Sequence, residues 1–284
     1  MKRKKSFALL PLAAVALNLI YGCTSNPFGD NEISEEKRKI SGVARLADQS
    51  SAKGIMIWMA GFNISTLTDE NGGFEINLPP KASQGPTGGL SGVFNMYFFV
   101  ANYLLDSAQV VVQNGAFLYG RGDVNKDGKL NAPRSLQRFL RISTALQPPS
   151  VEKNFANRIG VNVTLEAIID SATVVFPRSV GGFLGAVIFK RVGSDDLLIY
   201  EPVAGANTRD VVVIGKVSSS RLAVFTLQQL SLQPGQYEVI PYLLIRHEAL
   251  PPGLLASLGA VESLSSAYLN LPLRREGGQF EVRQ

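Results

Sequence analysis

The sequence predicts an all-β protein that consists of two β-sandwich modules with one or two short helices. From Ile40 onward, short apolar runs alternate with segments rich in Gly, Asn and Asp, which is the pattern of short strands joined by turns. Hydrophobic residues make up 45% of the 284 residues and charged residues 18%, so each module can bury a core and disorder is not expected. We expect a leader at residues 1–22, a tether at 23–37, a first module at 38–148 and a second at 158–284.

The net charge of +5 is concentrated at the N-terminus. Four basic residues lie within the first five positions, and beyond residue 22 the chain has 24 basic and 23 acidic residues. A nearly neutral body lacks the basic surface that follows a phosphate backbone. Nucleic acid is therefore not an expected partner.

The first 22 residues have the pattern of a secretory signal. A basic start is followed by a 15-residue apolar run from Phe7 to Tyr21, which contains Pro11 and Asn18. A transmembrane helix is the alternative, but it needs about 20 apolar residues. The run is too short for that, and polar residues follow it at once.

The end of this leader, Ile20-Tyr21-Gly22-Cys23, resembles a bacterial lipobox. The resemblance implies cleavage between Gly22 and Cys23, diacylglycerol on the Cys23 thiol, and often a further acyl chain such as palmitate on the new amine. Each buried methylene contributes about 0.8 kcal/mol, so two or three chains would hold the protein on a membrane. Thr24, where inner-membrane lipoproteins carry Asp, implies the outer membrane in a two-membrane cell. The polar residues that follow, up to about 37, are expected to be a tether.

The first module shows alternating apolar patterns and clear turns. The strands expected here span residues 40–46, 54–59, 74–78, 93–102, 108–113 and 116–119. The opening Ile40-x-Gly42 and the run Thr68-Asp69-x-x-Gly72-x-Phe74-x-Ile76-x-Leu78-Pro79 resemble the carboxypeptidase regulatory-like (transthyretin-like) family. That resemblance covers residues 38–80 and implies a seven-stranded sandwich with a non-catalytic accessory role.

Two residues of this module have both a functional and a structural interpretation. Asp69 could act in catalysis, but an Asp that opens a turn usually bonds backbone N–H groups two residues on. Trp58 could stack on a sugar, but within the apolar run 55–59 an aromatic more often fills the core. We expect the structural role for both.

The segment 120–131 contains the most site-like pattern of the chain. Asp123, Asn125 and Asp127 occupy positions 1, 3 and 5 of a calcium loop, and the Lys129 carbonyl falls at position 7. The run resembles a dockerin repeat, although Arg134 stands where the bidentate carboxylate of position 12 belongs. With two carboxylates, any calcium site would be weak, about 10⁻⁴–10⁻³ M. The alternative is a polar turn that uses the same side chains without metal.

The second module is predicted from a further series of short apolar runs. Expected strands span 161–168, 173–176, 184–189, 197–200, 211–217, 221–227, 237–245 and 280–283, with a helix at 251–264. Leu232-Gln-Pro-Gly-Gln-Tyr237 resembles the tyrosine corner of immunoglobulin-like sandwiches. The continuous run Val211–Ile214 predicts a buried strand rather than a docking edge.

Single copies of Cys and His restrict the chemistry. One cysteine excludes an intramolecular disulfide and a Cys-based zinc site, and His247 has no HExxH context and is expected to be a solvated side chain. No catalytic residues are predicted and no cofactor is required; a weakly bound calcium ion is the one optional ligand.

The expected function is a membrane-tethered lipoprotein with a non-catalytic envelope binding or scaffold module, whose partner is an envelope protein or a glycan. Carbohydrate binding is the alternative, and it would need exposed aromatics among Tyr97, Tyr103, Tyr119 and Tyr200. The rival from another class is a glycoside-acting enzyme with paired carboxylates, such as Asp195 with Asp196 or Glu166 with Asp170.

Overall fold

The computed structural model describes residues 35–85 and 88–284, and at residues 35 and 36 it describes the backbone alone. The predicted leader, the cleavage site at Gly22 and the lipidation site at Cys23 lie outside these residues. None of the helices in the described part is long and apolar enough to cross a membrane.

The N-terminal half of the described chain contains two facing sheets. One has three strands: β1 (Lys39–Leu46), β4 (Gly73–Asn77) and β8 (Arg134–Leu136), in the order β4-β1-β8. The other has five strands: β2 (Met56–Met59), β3 (Ile64–Leu67), β5 (Gly92–Phe99), β6 (Asp106–Gln113) and β7 (Ala116–Phe117), in the order β3-β2-β5-β6-β7. Their inner faces enclose one hydrophobic cluster, because alternate residues of each strand are apolar.

The C-terminal half contains three sheets. The five-stranded sheet has β10 (Ser150–Glu152), β13 (Val187–Arg191), β14 (Leu197–Tyr200), β17 (Gly235–Pro241) and β20 (Gln279–Arg283), in the order β10-β20-β17-β13-β14. The four-stranded sheet has β9 (Leu140–Gln147), β11 (Ile159–Ala167), β16 (Ser219–Phe225) and β19 (Glu276–Gly277), in the order β16-β11-β9-β19. The three-stranded sheet has β12 (Ala172–Pro177), β15 (Arg209–Ile214) and β18 (Leu244–Ile245), in the order β15-β12-β18.

Helical segments are short. The α-helices are α1 (Leu227–Leu230) and α2 (Leu254–Ser257), and 3₁₀ turns span Glu35–Arg38, Lys81–Ser83 and Ser266–Asn270. The all-β class with one or two short helices is thus confirmed. The helix expected over 251–264 is wrong in length, since only one turn of α-helix forms there and the chain continues through turns to the Ser266 segment.

Strand β2 joins the two halves because both of its faces are buried. Ile57 and Met59 face the first cluster, whereas Met56 and Trp58 belong to a second, larger cluster formed mainly by the C-terminal sheets. Trp58 is only 3% exposed, which confirms its role in the core. Residues 37–284 accordingly form one compact unit.

Strand β9 lies inside the range predicted for the first module, but it pairs with β11 of the second along its whole length. The reason is its alternation: Leu140, Ile142 and Leu146 face the second cluster. The segment expected to link the modules also holds β10, which pairs with the last strand of the chain. The two halves therefore interlock more closely than the predicted ranges imply.

Two turn predictions are confirmed by hydrogen bonds. The Asp69 carboxylate accepts the backbone N–H groups of Asn71 and Gly73, each at 2.8 Å. The Tyr237 hydroxyl donates to the Gln233 carbonyl at 2.7 Å, which is the bond of a tyrosine corner.

Candidate functional site

The calcium-like loop is held by bonds within the protein. The Asn125 side-chain oxygen accepts the backbone N–H groups of Asp127 and Lys129, both at 2.9 Å. The Lys129 carbonyl, expected at coordinating position 7, accepts the Asn125 N–H at 2.8 Å. Gly128 has a φ of +75°, which allows the sharp bend that both a calcium loop and a polar turn require.

Arg134 occupies position 12 of this loop, where a calcium loop has its bidentate carboxylate. Its guanidinium lies 3.0 Å from the Asp123 carboxylate, which also accepts the Gln109 N–H at 2.8 Å. A cation would have to displace Arg134 from Asp123 to bind there. In the described part of the chain, no three His, Cys, Asp or Glu side chains gather in a metal-binding cluster. Calcium binding at Asp123, Asn125, Asp127 and Lys129 stays a prediction.

His247 is packed between aromatic rings and is not a solvated side chain, so that prediction is wrong. Its ring lies 5.6 Å from the Phe99 ring and 5.7 Å from the Phe139 ring, both edge to face. Burial lowers the pKa of His247, and a hydrogen bond with the Ala101 backbone opposes this only in part. The imidazole also borders an open groove of about 510 Å³, whose rim includes Leu104 and Asp170.

The four tyrosines proposed as a sugar-binding surface are used in packing. Tyr103 is fully buried, and Tyr97 stacks on Trp58 with ring centroids 5.9 Å apart. The Tyr200 hydroxyl donates to the Val224 carbonyl at 2.8 Å, and the Tyr119 hydroxyl bonds to the backbone of β1. These rings lie on separate elements and do not form one exposed aromatic face.

Two of the four nominated carboxylates have structural partners. Glu166 pairs with Arg141 on the neighbouring strand at 2.7 Å. Asp196, in the turn before β14, lies 3.8 Å from the Arg191 guanidinium and is largely exposed. Asp170 stands apart from them at the rim of the groove beside His247. The structure thus gives Glu166 and Asp196 each an arginine partner.

A buried polar network that the sequence did not predict joins the two halves of the body. The Arg138 side chain is only 10% exposed, and its Nε lies 2.7 Å from the Asp48 carboxylate. The Tyr103 hydroxyl donates to the same carboxylate at 2.7 Å and accepts from Arg138 Nε at 2.8 Å. The other guanidinium nitrogens donate to Ser50 and to Glu276. This network ties loops of the first half to the end of the chain.

Within this network the pKa of Asp48 is lowered and the pKa of Tyr103 is raised. Burial acts to raise the pKa of Asp48, but hydrogen bonds from Tyr103 and Ser50 and the charge of Arg138 outweigh it, so the pKa lies below its ordinary value. Burial, with the hydrogen bond to Asp48, raises the pKa of Tyr103. The pair stays in the state Asp⁻ and Tyr–OH at neutral pH, which is suited to stability and not to proton transfer.

Comparisons with known proteins do not assign a family. No family model matches the chain, and no curated protein matches it. The resemblance to carboxypeptidase regulatory-like domains therefore stays a prediction.

Solved structures give only distant similarities. The chain is similar to BcpA, the major pilin subunit of Bacillus cereus, at 11% identity and a TM-score of 0.25, over 71% of this chain and 63% of that one. It is similar to a streptococcal ancillary pilin at 12% identity and a TM-score of 0.22, over 74% and 59%. It is also similar to the alkylpurine DNA glycosylase AlkC of Pseudomonas fluorescens, at 14% identity and a TM-score of 0.28, over 51% and 31%. The chain spans less than two thirds of each of these proteins, and similarities this low support no assignment of family or function.

Proposed function

We propose that the protein is a lipid-anchored component of the bacterial envelope whose β-sandwich body acts as a non-catalytic binding or scaffold module. The observation that carries this proposal is the position of Cys23. It is the only cysteine of the chain, it directly follows a basic and then apolar segment, and a polar stretch separates it from strand β1. Two or three acyl chains there would give slow release from a bilayer.

The non-catalytic part of the proposal is supported by how the reactive side chains are used. The only histidine, His247, is wedged between phenylalanine rings, and the carboxylates Glu166 and Asp196 pair with arginines at the surface. A glycosidase needs two carboxyl groups across a cleft, about 5–10 Å apart. The groove beside His247 has Asp170 and Glu248 among its lining residues, so these two acids are where such an activity would be sought first.

Protein scaffolding is favoured over carbohydrate binding because of the aromatic rings. Sugar-binding faces present two or three exposed rings side by side, whereas Tyr103 is buried and Tyr97, Tyr119 and Tyr200 pack against separate parts of the two cores. We propose the outer membrane as the location, with the body on its periplasmic or cell-surface face. Thr24 after the lipidated residue supports that membrane over the inner one.

Metabolic labelling with an alkyne analogue of palmitate tests the anchor. The full chain is expressed in a bacterium with its leader intact, and labelling is compared between wild type, Cys23→Ala and the control Thr24→Ala. We expect wild type and the Thr24 variant to be labelled and to sediment with membranes, and Cys23→Ala to lose both properties. An unlabelled wild-type protein, or equal labelling of Cys23→Ala, would overturn the proposal.

A further inference from the structure

Strand β15 is an exposed sheet edge with apolar side chains, contrary to the expectation that Val211–Ile214 is buried. It is the first strand of the sheet ordered β15-β12-β18, and it pairs only with β12. Val211 and Val213 are 46% and 66% exposed. Natural sheets usually protect such edges with lysine, proline or a bulge, since an open edge templates another strand. Here the strand has two charged residues: Arg209 is exposed, and Asp210 pairs with Arg221 of the same chain at 2.6 Å.

The register shows which backbone groups point outward. Arg178 N–H donates to the Thr208 carbonyl at 2.7 Å, at the pair that continues the β12–β15 register. Bonded and non-bonded pairs alternate in an antiparallel ladder, so the even-numbered residues of β15 bond to β12. Pro177, which has no N–H, lies opposite Arg209. This agrees with the alternation, because Pro177 and Arg209 form a non-bonded pair. The N–H and C=O groups of Arg209, Val211 and Val213 therefore point away from the sheet.

These outward groups have no partner in the described part of the chain. The neighbouring edge strand β16 differs, because its Leu222 carbonyl accepts the Leu184 N–H at 2.9 Å and its Val224 carbonyl accepts the Tyr200 hydroxyl at 2.8 Å. The rest of the chain thus covers β16 and leaves β15 open. Another extended backbone would pair with this whole row of alternating donors and acceptors, in the manner of an added strand.

We propose that β15 pairs antiparallel with β15 of a second copy of this chain, with the two-fold axis at Val211. In this register Val211 faces itself and Arg209 faces Val213, so all three outward residues find partners among the same three. No like charges meet, because Arg209 lies opposite a valine and Asp210 is paired within its own chain. A shift that placed Arg209 opposite Gly215 would be worse, since the Gly215 carbonyl already accepts the Ala167 N–H at 3.0 Å. The dimer thus continues the three-stranded sheet of each copy into one six-stranded sheet.

Cysteine cross-linking in the full chain tests both the partner and the register. Cys23→Ala removes the only native thiol, and single cysteines are then introduced by Val211→Cys or Val213→Cys. Residues that face each other in a bonded pair have Cα atoms about 5.5 Å apart, which a disulfide accepts. The matched control is Val213→Cys, because position 213 is the more exposed of the two. In the proposed register the cysteines at position 213 of the two copies are four residues apart, about 13 Å along the strand.

We expect mild oxidation to convert Val211→Cys into a covalent dimer and to leave Val213→Cys largely monomeric. Light scattering should give a dimer mass for the Cys23→Ala protein and a monomer mass when Val213→Lys is added. Both valines are exposed, so the variants are expected to fold, which circular dichroism checks. A monomer mass for the parent protein, or equal cross-linking at 211 and 213, overturns the proposal. Because every variant lacks the lipid site, this outcome is independent of the anchor.

Discussion

Replacing Asn102 with alanine should destabilise the protein strongly, because this side chain holds the two halves of the body together. Asn102 is 0% exposed. Its amide nitrogen donates to the carbonyls of Leu140 and Arg274, both at 2.9 Å, and its amide oxygen accepts the Arg274 N–H at 3.0 Å. One side chain thus links a turn after β5, the start of β9 and the last part of the chain.

The magnitude follows from these three bonds. A hydrogen bond contributes about 1 kcal/mol net, and a buried group left without a partner costs about 1–3 kcal/mol. Asn102→Ala should therefore lower the free energy of unfolding by about 3 kcal/mol. For a unit of this size that corresponds to about 6–12 °C in Tm. Asn102→Asp should cost more, because it buries a charge and places a carboxylate oxygen against the Leu140 and Arg274 carbonyl oxygens.

Chemical denaturation followed by fluorescence measures this loss directly, since Trp58 is the only tryptophan and lies in the cluster shared by both halves. The matched control is Asn95→Ala, whose exposed amide bonds only the Tyr97 hydroxyl at 3.3 Å; we expect a change within about 0.5 kcal/mol. Equal losses for Asn102→Ala and Asn95→Ala would refute the role assigned to the Asn102 side chain.

Three further predictions concern single side chains. Burial lowers the pKa of His247 from its ordinary 6.5, so the unfolded chain binds the proton more readily, and stability present at neutral pH is lost as the pH falls below about 6.5. His247→Phe should flatten this part of the plot of unfolding free energy against pH. An unchanged plot would contradict the lowered pKa. Arg138→Met leaves the Asp48 carboxylate without its charge partner, and chemical denaturation should show a free energy of unfolding lower by about 3 kcal/mol or more. The control Arg283→Met removes a pair whose side chains are more than half exposed, and it should lower the free energy of unfolding by less than about 1 kcal/mol. Arg134→Glu frees Asp123 and supplies the carboxylate that position 12 lacks, so the Kd for calcium, measured by calorimetry, should fall at least about tenfold. Identical titrations of the variant and the wild type would exclude the loop as a calcium site.

The elements that the sequence predicted well are those with local signals. Strict alternation placed β1, β4 and most C-terminal strands within a few residues of their observed bounds, and Leu232–Tyr237 identified a turn whose hydroxyl bond depends only on nearby residues. Asp69 was assigned correctly for the same reason, since the backbone N–H groups that donate to its carboxylate lie two and four residues away.

The errors concern long-range arrangement. A run of four apolar residues in β15 has the composition of a buried strand, but the sheet order that leaves it at an edge is set by partners elsewhere in the chain. His247 was expected in water because a single histidine beside a loop, outside any HExxH motif, is usually solvated, whereas the rings around it come from β5 and from the residue before β9. Nothing local marks Asn102, whose partner Arg274 lies 172 residues away.

Mass spectrometry of the N-terminus of the protein purified from bacterial membranes tests the central claim most directly. The proposal predicts that the mature chain begins at Cys23, lacks the preceding 22 residues, and carries a mass increase equal to diacylglycerol with or without a further acyl chain. A chain recovered from the soluble fraction with an unmodified Cys23 still joined to Gly22 would contradict it.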